Sequence, residues 1–289
     1  MPQLALVVTT LVWGATFPAT KAVLEQIPPF SFLVLRFLLG TVLVLGILLA
    51  LGRRLRLDRG MLRMSAIASV FLFLGYTTQT VGLRYTTASN SAFITALYVI
   101  FVPLYLRRFG LRTWGSAGLA LVGLWFLVNP TVSLNQGDLL SLVCAAAFGA
   151  HIACLERYTR QGDAVSLFVW QLVIVTALMI PGMIIESPRA ASFAPTVVLV
   201  VTLTITGVLA TGAFAVQMWV QQVVPAQRVA LIFSLEPVFA AWLSWYFLGE
   251  HLDPRGWLGS GLILIAVLLG TTGQAVERAT EPVGSPQAG

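Results

Sequence analysis

The chain has 289 residues, of which 58% are apolar and only 10% charged, and its mean hydropathy is +0.89. A soluble domain carries about a quarter charged residues because its surface faces water, so 17 basic and 11 acidic side chains cannot solubilise this one. A water-soluble enzyme is excluded, and so is a disordered chain, which needs high charge and low hydrophobicity. The composition is that of a polytopic membrane protein. In that setting the net charge of +6 reflects arginines that orient the chain in a bilayer, and not a nucleic-acid partner. Cys144 and Cys154 share one apolar segment and match neither a disulfide nor a metal framework, so buried structural thiols are expected.

A spanning helix needs about 20 mostly apolar residues. In chain order such windows fall at 4–24, 30–51, 62–83, 87–107, 113–129, 138–158, 164–185, 196–220, 226–247 and 256–274. The first has no basic stretch before it and runs through Pro18 to Val23, so it reads as a span and not as a cleaved leader. The breaks have turn chemistry: Pro28-Pro29, the arginine-rich 52–63 stretch, Asn129-Pro130, Gln161-Gly162-Asp163, Ser187-Pro188, Pro225 and Asp253-Pro254. A single membrane domain over 1–275 is expected, with 276–289 (Pro-Val-Gly-Ser-Pro-Gln and neighbours) as a disordered cytoplasmic tail.

Counting basic residues by side tests this layout. Arg53, Arg54, Arg56, Arg59, Arg63, Arg107, Arg108, Arg112, Arg157, Arg160, Arg228 and Arg278 fall at one set of span ends. Lys21, Arg84, Arg189 and Arg255 fall at the other, and Arg36 lies inside a span. The asymmetry puts both termini in the cytoplasm of a bacterial inner membrane, as an even number of spans requires.

The chain also repeats itself. A shift of 135 residues lays Trp13-Gly14-Ala15 on Phe148-Gly149-Ala150, Ser31 on Ser166, Val34 on Val169 and Arg36 on Gln171. A shift of 138 lays Gln79 on Gln217, Ala92 on Ala230, Ile94 on Ile232 and Leu97 on Leu235; a shift of 143 lays Trp114 on Trp257 and Gly118 on Gly261. The predicted fold is therefore all-α and integral to the membrane: ten transmembrane helices as two inverted five-helix repeats, about 1–130 and about 136–275. Five is odd, so the second repeat must run upside down, which is a transporter device with the site near mid-membrane between the halves.

Several stretches carry a resemblance. They are Leu11-Val12-Trp13-Gly14-Ala15-Thr16-Phe17, Leu35-Arg36-Phe37, Leu83-Arg84-Tyr85-Thr86-Thr87-Ala88-Ser89-Asn90, Ser234-Leu235-Glu236-Pro237 and Phe247-Leu248-Gly249-Glu250. In their order and spacing the chain resembles the EamA-type members of the drug/metabolite transporter superfamily. The resemblance implies export or exchange of small metabolites, most closely amino acids including phenylalanine, threonine and methionine. It also implies that helices five and ten stand outside the cavity wall, where Gly115, Ser116, Gly118, Gly123, Gly259 and Gly261 fit close helix packing.

An ionisable residue in a span is a functional candidate by default. Glu236, just before Pro237, could bind a substrate amine or carry a proton, or be bonded to neighbouring helix ends as structure. Tyr98 holds the equivalent place in span four. Gln79 and Gln217 are equivalent amides near opposite faces, Tyr76 and Thr80 can share the face of Gln79, and Trp13 and Phe148 are equivalent mid-depth aromatics with Thr16 and His151 three residues on. These ten residues form the expected cavity. Pro18, Pro103 and Pro237 are expected to bend their helices. Arg36, near the outer end of its span, could pair with a solute carboxylate, but snorkelling or pairing with a backbone carbonyl is the expected role. Leu258-Gly259-Ser260-Gly261 superficially suggests a serine hydrolase, but no histidine serves it. No catalytic group, metal or cofactor is expected; the partners are a small-molecule substrate and lipid, and no oligomeric state is specified.

Overall fold

The structure is a computed structural model and describes residues 2–128, 135–249 and 254–280. Among these residues every regular element is helical. The first half contains α1 (Pro2–Val23), α2 (Pro29–Ala50), α3 (Arg59–Gly82), α4 in two pieces (Ala88–Thr95 and Tyr98–Tyr105) and α5 (Leu111–Val128). The second contains α6 (Gln136–Gln161), α7 (Ala164–Glu186), α8 (Val197–Leu203, a π-helical turn Thr204–Leu209, then Ala210–Val220), α9 in two pieces (Ala226–Phe233 and Glu236–Leu248) and α10 (Pro254–Thr280). Eight of these ten helices are long and apolar enough to cross a membrane, and α5 and α10 are the two shorter apolar ones.

Local chemistry sets the starts. Asp58 Oδ1 accepts from Met61 N, Thr87 Oγ1 accepts from Asn90 N, and Asn135 and Asp138 exchange side-chain and backbone bonds at the head of α6. Each satisfies amides that the first helical turn leaves without partners. Pro29 opens α2, where a missing N–H costs nothing. Gly249, with φ +69, ends α9 in the left-handed region.

The two halves cross each other in matching ways. α1 packs on α9, and α6 packs on α4. A Cβ on Gly14 would stand 2.7 Å from Phe239 Cβ, and one on Gly149 would stand 2.7 Å from Phe101 Cβ. Gly14 and Gly149 are repeat mates, as are Phe101 and Phe239, so one close crossing is used twice. α2 lies against α7, and α3 against α6 and α7. α5 and α10 pair mainly with each other, outside this arrangement. One apolar core surrounds α4 and α9 (Tyr98, Val102, Phe233), and a second lies among α2, α3 and α7 (Leu33, Leu72, Leu167). Trp13 and Phe148 pack against both. Apolar side chains such as Ile47, Leu49, Val197 and Leu269 point outward, the surface a bilayer would cover.

The structure differs from the sequence reading at several points. α1 passes Pro18 without interruption, and Pro103 lies within the second piece of α4. α4 is instead interrupted at Ala96–Leu97, where the bonds shorten to Leu97 N to Ile94 O and Val99 N to Ala96 O. α9 is interrupted at the repeat-equivalent Ser234–Leu235, directly before Pro237. Proline chemistry explains the second break; the first has no proline at the corresponding place. Among the glycines, Gly123 and Gly259 do meet, a Cβ on Gly259 falling 2.4 Å from Gly123 O. Gly115, Gly118 and Gly261 face open space, because only one side of α5 turns toward α10. Ser116 lies in the contact as expected, a Cβ on Gly270 falling 3.2 Å from its Cβ, and its Oγ bonds the Arg112 carbonyl of its own helix. α10 stays helical through Thr280, past the expected boundary at 275. The expected turns at Asn129-Pro130 and at 250–253, and the tail from 281 to 289, lie outside the described residues.

Candidate substrate cavity

Nine of the ten expected residues line one cavity between the halves: Trp13 and Thr16 of α1, Tyr76 and Gln79 of α3, Tyr98 of α4, Phe148 and His151 of α6, Gln217 of α8 and Glu236 of α9. Thr80 is buried but is not in the wall. Leu72, Ile152, Phe214 and Phe233 complete the lining. Phe214 was findable, since the 138 shift lays Tyr76 on it. The cavity holds about 40 Å³ of water-accessible space. That is room for a few waters at most, since one needs about 10–15 Å³; the walls must part before any metabolite enters.

At the centre, Tyr98 Oη donates to Glu236 Oε2 at 3.0 Å. The two are repeat mates on the two broken helices, each at the head of its second piece. The breaks therefore bring a phenol and a carboxylate together across the axis relating the halves. Both are buried, Glu236 being 7% exposed. His151 Nε2 lies 2.8 Å from Gln171 Oε1, so the histidine is held by an amide and not by a charge. Gln217 Nε2 donates to Gln221 Oε1, whose own amide donates to the Ile152 carbonyl. Trp13 Nε1 donates to the Ala210 carbonyl and its ring meets Phe233 edge-on at 4.9 Å. Tyr76 packs edge-on against Phe37 (4.9 Å) and Phe148 (5.1 Å).

Arg36 corrects an expectation. It neither snorkels nor pairs with a carbonyl: it is 4% exposed, with its guanidinium carbon 4.6 Å from the centre of the Tyr76 ring and 5.2 Å from that of Phe37. Among the described residues no carboxylate forms an ion pair with it. Two ring faces supply about 2 kcal/mol each at best, against a desolvation penalty of several kcal/mol for a buried ion. The guanidinium also hydrogen-bonds the Tyr76 side chain, so what Arg36 lacks among the described residues is a carboxylate counter-charge.

Polar latches hold both ends. At the arginine-poor end, Lys21 Nζ donates to the Leu83 and Thr86 carbonyls (2.6 and 2.8 Å), and Glu186 accepts from Phe30 N, Ser31 N and Ser31 Oγ, each at 2.9 Å. Asp138 accepts from Thr86 Oγ1 at 2.8 Å and from Asn90. At the arginine-rich end Glu156, the repeat mate of Lys21, accepts from both terminal nitrogens of Arg108 (2.8 and 3.2 Å) and from Ala226 N (3.0 Å). There Asp163 accepts from Ser166 Oγ, Val165 N and Arg53. Partial burial pushes the Asp163 carboxyl up, but the bonds from Ser166 and Val165 and the Arg53 charge outweigh it and hold it below the usual carboxylate range. Among the described residues no group of His, Cys, Asp and Glu could hold a metal.

Compared with known proteins, the chain matches the profile of the EamA-like transporter family over residues 1–129 and 135–272. It is 36% identical to an uncharacterized transporter of Archaeoglobus fulgidus, over 92% of this chain and 84% of that one. It is 27% identical to the uncharacterized transporter YoaV of Bacillus subtilis (93% and 96%) and 26% identical to the uncharacterized inner membrane transporter YedA of Escherichia coli (98% and 94%). In shape it is similar to a protein of known crystal structure, with TM-score 0.74 at 16% identity, over 98% of this chain and 99% of that one.

Proposed function

This chain belongs to the EamA-like transporter family, and from that premise we propose that it exports or exchanges amino acids, aromatic ones such as phenylalanine together with threonine and methionine. It does so by alternating access, with no chemical step. Trp13, Tyr76 and Phe148 form walls that accept varied side chains, Glu236 with Tyr98 receives the solute ammonium, and Gln79 and Gln217 serve the two mouths. The broken helices α4 and α9 change shape as the mouths exchange, and the latches at Lys21 and Glu156 open in turn. The domain spans 1–275 in a bacterial inner membrane, with both termini and the tail cytoplasmic, a placement supported by the arginine asymmetry. The observation that carries this reading is the Tyr98–Glu236 bond, a buried carboxylate at the one level the two repeats share.

The test is uptake of labelled threonine, methionine and phenylalanine by proteoliposomes. Flux of at least one is expected, and Glu236→Gln lowers it about tenfold or more, the worth of a charge-assisted hydrogen bond. No flux of any of the three removes the amino-acid claim. A second reading, transport of organic cations, is favoured by the same buried carboxylate. Under it, carboxylate-free amines would be carried better than amino acids, and Glu236→Gln would abolish their flux while sparing neutral solutes.

A further inference from the structure

We infer that Arg36 is the carboxylate-recognition group of this transporter, so that its substrate is a small solute bearing a free carboxylate, held between the Arg36 guanidinium and the Glu236–Tyr98 pair. The inference rests on the transport reading above and deepens it, because a zwitterion's two charges are given separate receivers. Three observations carry it.

The first is the incomplete environment. A guanidinium offers five donors in a planar fork suited to a carboxylate. Here its faces meet Tyr76 and Phe37 and it hydrogen-bonds the Tyr76 side chain, while no carboxylate among the described residues ion-pairs with it. A buried ion left without a counter-charge is what an anionic ligand completes.

The second is that the charge is held in place. Gly207, in the π-helical turn of α8, packs so closely on α2 that a Cβ there would lie 3.2 Å from the Arg36 carbonyl oxygen and 2.9 Å from Leu39 Cδ2. A turn later a Cβ on Gly40 would lie 2.4 Å from Thr211 Oγ1. The backbone of α2 at Arg36 is thus pinned to an irregular turn, a feature frequent at functional sites, and the side chain lies under Tyr76. Tyr76 also lines the cavity, so the guanidinium is one ring away from it. In the contracted cavity that ring stands between the charge and the interior, so carboxylate recognition requires Tyr76 to move aside as the walls part.

The third is the repeat. The mate of Arg36 is Gln171, a neutral amide buried in α7 and satisfied by His151. Packing at this position therefore works without a charge. The positive charge is an addition on one side of the axis, which polarises the site: carboxylate toward α2, ammonium toward α9. One arginine does not match a phosphate dianion, so phosphorylated solutes are not the class.

The test uses the full-length protein purified in detergent and the ligand-dependent shift of its thermal unfolding midpoint. Three kinds of probe are compared: the zwitterions phenylalanine, threonine and methionine; 3-phenylpropionate, a carboxylate without the ammonium; and 2-phenylethylamine, an ammonium without the carboxylate. The wild type is expected to be stabilised by at least one zwitterion at concentrations at which 2-phenylethylamine does nothing. Arg36→Gln should weaken the zwitterion about 10- to 100-fold and erase its advantage over the amine, while Arg36→Lys keeps part of it. Monodisperse elution and an unchanged unliganded midpoint establish that the variants are folded. Equal stabilisation by 2-phenylethylamine, unchanged binding in Arg36→Gln, or no response to any carboxylate overturns the inference. A response to 3-phenylpropionate that Arg36→Gln abolishes, with none to the zwitterions, removes the amino-acid reading and leaves the carboxylate receiver standing.

Discussion

In the second half of the molecule, Gln171 on α7 meets His151 on α6 at 2.8 Å, and the polar pair is complete. At the same place in the first half, Arg36 on α2 meets the rings of Phe37 and Tyr76 and the Tyr76 side-chain hydrogen bond but no carboxylate among the described residues, and Thr16 on α1 (the mate of His151) turns back to its own helix at the Trp13 carbonyl. One scaffold thus carries a finished polar contact on one side and an unfinished charge on the other. The difference separates what the fold needs from what it holds in reserve. A neutral amide suffices for packing, so the charge answers to something that arrives from outside. The ends show a similar divergence: Lys21 and Glu156 latch equivalent helix junctions with opposite charges, one donating to carbonyls and the other accepting from an amide and an arginine.

The largest expected effect tests whether the halves are equivalent scaffolds at all. Gly14→Leu and Gly149→Leu each force a side chain into a 2.7 Å approach at matching crossings. Each is expected to lower stability by about 3 kcal/mol, read as loss of monodisperse protein and a lower unfolding midpoint. Tolerance of one but not the other would break the equivalence. Next comes the finished pair. His151→Ala strands the buried Gln171 amide and is expected to cost about 1–3 kcal/mol, whereas Thr16→Ala removes only a hydroxyl bonded within its own helix and costs about 1 kcal/mol or less. Equal losses at the two positions would mean that the contrast drawn between the halves is not energetic.

The smallest effect compares the helix heads. α2 is capped across the repeat by Glu186, α7 by its own Asp163. The carboxyl of Asp163 is depressed in the fold, so its contribution is fully present above the unfolded value of about 3.9 and is lost as pH falls through the lower, folded value. Thermal unfolding between about pH 6 and pH 3 should show the wild type losing this contribution at the acid end. Asp163→Ala should be about 1 kcal/mol less stable near neutrality and less sensitive to acid. An identical acid response in the variant would remove Asp163 as the cause.

Much of the candidate cavity's lining was legible because the repeat aligns levels. The shift that lays Tyr98 on Glu236 says that the two share a depth, and the structure adds that they touch. Arg36 was misread because hydropathy treats a charge toward the end of a span as free to reach the interface. Its burial depends on Gly207 and the π-helical turn of α8, which no pattern in α2 foretells. Pro103 lies inside the second helical piece of its span, and the interruption falls at Ala96–Leu97. Gly115, Gly118 and Gly261 share the small-residue spacing of Gly123 and Gly259, but spacing does not say which face turns inward.

What this amino-acid sequence determined alone was the number of apolar helices and the kinship of the two halves. Apolar length and periodic identity are properties of each segment against lipid and need no neighbour. What only the tertiary structure decided was which polar groups find partners. A hydrogen bond or a counter-charge belongs to two helices at once, and the distance between them is set by packing far along the chain.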